Sequence, residues 1–142
     1  MRGRELQRLL IAAIDALEVD DKALVSDHFR HDDGQSDPDV VQPDRTWQLV
    51  QGQVEPFGTF EARTFTAYFE GLFYYADSPK LADRIVSDGE RVLCFLPTIG
   101  AAMHAHIMGC GEIGPWIPSQ DEVSGQIVCR VTWAVTYFLT GV

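Results

Sequence analysis

The chain has 142 residues, 46% of them hydrophobic and 23% charged, the size and composition of one globular domain rather than of a disordered segment. Its formal net charge of -10 repels phosphate backbones and anionic headgroups, which argues against a basic nucleic-acid patch and against docking on an acidic membrane. The three cysteines, Cys94, Cys110 and Cys129, fit no disulfide scaffold and no paired zinc motif.

Leu6, Leu9, Leu10, Ala13, Ile14 and Leu17 recur at helical spacing, with Arg4, Glu5, Gln7 and Arg8 mostly on the other side. The pattern predicts an amphipathic helix of about four turns, with one face packed on something flat. No signal-peptide pattern precedes it, and no apolar run approaches the roughly 20 residues of a membrane span. The protein is expected to be made and used in the cytosol, or to leave it by lysis. Cys94 and Cys129, with apolar neighbours, read as small core residues of a reducing compartment.

Residues 19–44 are polar and acidic. The turn signals Asp32-Asp33-Gly34, Asp37-Pro38 and Pro43-Asp44 predict a long loop there. A first strand is expected to begin over 45–50, interrupted by Gly52, Pro56 and Gly58. A second runs over 61–75, which is rich in aromatic β-formers. Ser78-Pro79 predicts a helix start, with Ser78 as N-cap. Leu81, Ile85, Val92 and Leu96 carry that helix through Asp88-Gly89 to Pro97. A strand is expected near 102–108, a rigid turn over 114–118, and a polar hairpin connection over 121–125. The last strand is the clearest: Ile127, Cys129, Val131, Trp133, Val135, Tyr137 and Leu139 share one face. The order predicts an α+β fold, an antiparallel or mixed sheet of about four strands with two helices packed on one face. Residues 1–142 read as a single domain.

Few residues point to chemistry. On a strand, His104 and His106 point the same way and could share a metal ion with Cys110 and Glu112; the simpler reading is a polar strand face. Asp32, Asp37 and Asp39 lack the loop pattern and closing glutamate of a calcium site. His28, His31, Asp32 and Asp33 could form an acid–base set only if that stretch were helical. There is no phosphate-binding glycine loop and no nucleophile elbow. No catalytic residue, cofactor or metal is therefore expected, and the protein reads as a non-enzyme. Trp47, Phe65, Phe69, Phe73 and Trp133 read as core. Phe57, Phe60 and Trp116 sit in Gly/Pro-rich connections, where large aromatics either tuck inward or anchor a partner, and they are the candidate subunit contacts.

An opening helix with Arg4-Glu5-Leu6-Gln7-Arg8-Leu9-Leu10, a hydrophilic stretch, strands, a second helix and a final Val131-Thr132-Trp133-Ala134-Val135-Thr136-Tyr137 strand form a sequence of elements. That order resembles the tail terminator proteins of long-tailed phages, the lambda type included, over most of the chain. The chain departs from them in a longer 19–44 stretch and an insertion around 109–118. The resemblance implies a structural virion protein of the tail or neck, assembled in the host cytoplasm. Its subunits would form a homo-oligomeric ring, a hexamer in the family, that caps the tail tube and presents a surface to the head–tail connector. Its partners would be itself, the tail tube protein and connector proteins, with DNA only as passing cargo and no membrane. Two alternatives remain: another head–tail joining or neck protein, or a small metal-dependent enzyme using His104, His106 and Cys110.

Overall fold

The computed structural model describes residues 2–18, 29–32, 41–58 and 63–139. Helix α1 spans Gly3–Asp15 and buries Leu6, Leu10 and Ile14, the stripe that the periodicity marks out. Helix α2 spans Leu81–Phe95 and passes into a 3-10 turn at Leu96–Thr98, where Pro97 stops the α-helical ladder. The helix starts two residues later than expected: Lys80 rather than Ser78 is the N-cap, the Ser78 carbonyl accepts the Leu81 N–H and its hydroxyl accepts the Lys80 N–H. Among the described residues no helix is long and apolar enough to cross a membrane.

Six strands form one mixed sheet, two more than the sequence reading expected: β1 Arg30–His31, β2 Thr46–Pro56, β3 Thr64–Tyr75, β4 Ile107–Gly111, β5 Ile117–Gln120 and β6 Ile127–Phe138. The order is β1-β2-β3-β6-β4, and β5 also pairs with β6. Only β1 and β2 run parallel; every other pairing is antiparallel. Strands β3 and β6 pair without a slip from Thr64↔Phe138 to Tyr75↔Ile127, so they form the spine. Strands β4 and β5 share the far side of β6, β4 beside Ala134–Tyr137 and β5 beside Ile127–Arg130. Between them the Gly114 N–H donates to the Thr132 carbonyl at 2.8 Å.

Several expectations are corrected. Residues 100–106 form turns, closed by Met103 N–H to Gly100 O and Ile107 N–H to His104 O, and the strand placed at 102–108 begins only at Ile107. Ile117 and Pro118 belong to an edge strand rather than to a rigid turn; Pro118 is tolerated because an edge asks for fewer donors. Strand β2 runs through Gly52 as far as Pro56, absorbing the irregularity in a bulge between Gln51 and Val54. The stretch read as a loop over 19–44 lies mostly outside the described residues. Its described part contributes β1 and a fully buried Phe29, packed edge-on to Phe73 at 5.0 Å. Cys129 is buried, but Cys94 is exposed on α2.

Both helices cover the side of the sheet that carries the odd-numbered residues of β3 and β6. Trp47, Phe69, Phe73, Val131, Trp133 and Val135 are all at most 2% exposed there. Trp47 stacks on Phe73 at 5.5 Å, and Phe69 on Trp133 at 5.9 Å. The Trp47 indole donates to Asp15 of α1 at 2.6 Å, and Arg91 of α2 donates to the Glu18 carbonyl just past α1 at 3.1 Å.

Candidate interaction surface

Alternation along β3 and β6 sends the even-numbered residues to the opposite side, where no helix lies among the described residues. Polar pairs order this side. Thr66 and Thr136 join hydroxyls across the two strands at 2.9 Å. The Tyr68 hydroxyl donates to Glu55 at 2.5 Å, and the Tyr74 hydroxyl to Gln48 at 3.3 Å. Glu70 and Arg130 stand 4.0 Å apart. Around these pairs Val50, Ile117 and Phe138 remain 39–52% exposed.

Two depressions mark the surface. One, of about 310 Å³, is lined by Val50, Tyr68, Glu70, Glu112 and Thr132, with Phe69 and Trp133 beneath. The other, of about 580 Å³, lies between β3, β5 and the β5–β6 hairpin, among Leu72, Tyr74, Ile117, Asp121, Glu122 and Arg130. Around the two depressions the carboxylates Glu70, Glu112, Asp121 and Glu122 outnumber Arg130. Their field reaches Tyr68: its hydrogen bond to Glu55, helped by the nearby Glu112 charge, pushes the phenol up to about 12.

The candidate contact residues part company. Phe57 follows β2 at the end of the β2–β3 hairpin, where residues 52–58 are all exposed; it is 49% exposed while its N–H holds Thr64 O at 2.8 Å. Phe60 lies outside the described residues. The Trp116 ring turns inward, 5.0 Å from Phe73, and a β-carbon at Gly89 would stand 2.6–2.8 Å from its indole. Trp116 thus packs α2 on the sheet, although it precedes β5 in irregular chain.

The residues weighed for chemistry do not converge. His104 and His106 sit in the turns before β4, with rings 5.0 Å apart; His104 Nδ1 accepts the His106 N–H at 3.1 Å. Burial pushes the Cys110 thiol up to about 11, away from the thiolate a metal would bind. Among the described residues no three His, Cys, Asp or Glu groups stand close enough to hold a metal ion. His31 meets Trp47 edge-on at 4.9 Å and accepts the Leu49 N–H, and Asp32 accepts from Gln48. His28, Asp33, Asp37 and Asp39 lie outside the described residues.

One polar cluster escaped the sequence reading. Asp88 of α2 is fully buried and accepts from Arg45 at 2.9 Å and from the Tyr75 hydroxyl at 3.0 Å. Arg84 pairs beside it with Asp44, whose carboxylate also accepts the Ala76 N–H at 3.1 Å. Arg45 adopts φ 56°, a left-handed conformation uncommon for its residue type, and the buried ion pair holds it there. A signal existed in the sequence: Asp88 stands seven residues after Leu81 and four before Val92, on the apolar stripe of the helix. The cluster is enclosed and joins α2 to the ends of β2 and β3, a role in architecture rather than in binding. No protein-family model matches the chain, and no curated protein is significantly similar to it.

Proposed function

We propose that the chain is a structural subunit of a phage virion: one member of a homo-oligomeric ring, by resemblance a hexamer, that caps the tail tube and joins it to the head connector. The observation that carries this reading is the broad sheet side on which no helix lies among the described residues, bearing exposed Val50, Ile117 and Phe138 near the exposed 52–58 segment with Phe57. Subunits of a ring meet through two unlike surfaces, and a layer of helices on one side with an open sheet on the other supplies two. The resemblance in element order, helix first and V-x-W-x-V-x-Y strand last, supports the same assignment. A net charge of -10 suits a ring through which DNA passes without being gripped. The reading involves no catalysis, cofactor or metal.

Light scattering and negative-stain imaging, with and without purified tail tubes, test it. A closed ring, alone or seated on tube ends, is the expected result. A chain that stays monomeric at high concentration and leaves tube ends bare overturns it. A ring that binds the connector but not the tube would move the protein elsewhere in the neck.

A further inference from the structure

We infer that the acidic depression on the open side of the sheet receives the arginines at the start of α1 from a second copy of this chain. The inference rests on the ring-subunit reading for its choice of occupant. Charge is unevenly spread: of 11 basic residues in the chain, Arg2, Arg4 and Arg8 fall within the first eight positions. Arg4 and Arg8 are one turn apart on α1, both exposed, on the side of the helix away from Leu6 and Leu10. Neither makes an ion pair among the described residues.

The depression offers what a guanidinium needs. Glu70 and Glu112 supply negative charge at its rim, Tyr68 a ring face, and Val50 an apolar wall for the side-chain stem. Glu55 is engaged by Tyr68 and adds to the field. The Glu70–Arg130 pair is open to exchange: at 4.0 Å, with side chains 37% and 58% exposed, it is a weak contact. The helix layer and the open face lie on opposite sides of the sheet, so an arginine–carboxylate contact between copies is head-to-tail, the kind that closes into a ring or runs on as a filament. In a chain of net charge -10, a local basic patch also fixes which surfaces can meet, because other pairings bring like charges together.

The experiment is sedimentation equilibrium of the full chain and of three variants, with circular dichroism as the folding control. Wild type should associate at least tenfold more weakly at about 0.5 M salt than at about 0.05 M. The charge-reversed Arg4→Glu/Arg8→Glu and Glu70→Lys/Glu112→Lys chains should each associate at least tenfold more weakly than wild type. An equimolar mixture of the two should recover assembly, since every contact in an alternating assembly then joins opposite charges. The neutral Arg4→Gln/Arg8→Gln chain should be weakened but not rescued by the Lys variant. Wild type that associates while both reversals leave the association unchanged overturns the inference and leaves the ring intact. Reversals that each weaken association but fail to rescue one another also overturn it, because the two patches then do not touch. A wild type that stays monomeric at low salt overturns it as well, and the ring reading falls with it only if tail tubes also remain uncapped.

Discussion

The two sides of the same sheet are built on opposite terms. Strands β3 and β6 contribute alternate residues to each, so backbone, register and neighbours are common to both. On the helix side, large rings interlock: Trp47 on Phe73, Phe69 on Trp133, Trp116 over Gly89. Interiors at such density leave no freedom in volume, and each ring is specified by the others. On the open side, side chains are tied in pairs across strands, Thr66 to Thr136, Tyr68 to Glu55 and Tyr74 to Gln48; the long side chains stay partly in water while small Thr64, Thr66, Val128 and Ala134 are buried among them. The helix side holds the fold together. The open side is the more polar and more exposed of the two.

This contrast can be broken by substitution, and the largest effects belong to the helix side. Trp133→Ala removes a ring that is 1% exposed, and the cost is expected to be about 3–5 kcal/mol in denaturant unfolding. Its open-side neighbour Thr132→Ala should change stability by about 0.5 kcal/mol or less. Equal effects at adjacent residues of β6 would erase the distinction between the faces. Asp88→Ala leaves Arg45 buried without its carboxylate, and a loss of about 3–5 kcal/mol is expected by the same measurement. A variant within about 1 kcal/mol of wild type would show that the cluster is not what docks α2.

Gly89→Ala should cost about 1–3 kcal/mol, because the added carbon meets the Trp116 indole at 2.6–2.8 Å. The clash predicts non-additivity: in a Trp116→Ala background the same substitution should cost little, and additive costs in the double-mutant cycle would show that the two residues do not touch. Trp116→Ala alone should lower stability as well as any assembly, whereas Phe57→Ala should leave unfolding unchanged and weaken assembly by about 2 kcal/mol if it anchors a contact. The smallest effect is a titration. All four tyrosines, Tyr68, Tyr74, Tyr75 and Tyr137, have phenols raised above their ordinary value, Tyr68 by its bond to Glu55 and the other three chiefly by burial. A phenol raised on folding contributes stability that is present below its unfolded value near pH 10 and is lost as pH climbs through the folded value, about 12 for Tyr68. Absorbance of phenolate should therefore stay low in the folded protein at about pH 10 and rise sharply in denaturant; matching titrations would contradict both the Tyr68–Glu55 bond and the burial of the other three phenols.

Much of this architecture was legible residue by residue. The stripe of Leu6, Leu10 and Ile14 marked α1, and the alternation from Ile127 to Tyr137 marked β6 together with the side it buries. Both patterns are local periodicities of the backbone, so a single sequence displays them. The continuation of α2 through Asp88-Gly89 was legible too, but not its reason. Gly89 is there because a tryptophan from 27 positions later lies against it, and Asp88 because Arg45 comes to it from the turn before β2. Likewise nothing near Phe29 announced that it would be buried, because a lone aromatic in acidic surroundings shows no period.

Composition and periodicity, then, determined the α+β class, the two helices, the central strand and its buried side, since each follows from side-chain spacing along one stretch of chain. The tertiary structure alone decided the rest: that Trp116 points inward while Phe57 points out, that Arg45 finds Asp88, that the two histidines meet in a turn, and that Glu70 and Glu112 line one depression on the side opposite Arg4 and Arg8. These are relations between residues distant in sequence. They are set by which strands pair, in what register, and how the helices and turns pack on them, and a one-residue slip of a strand would turn its own side chains, Glu70 or Phe73 among them, to the other face.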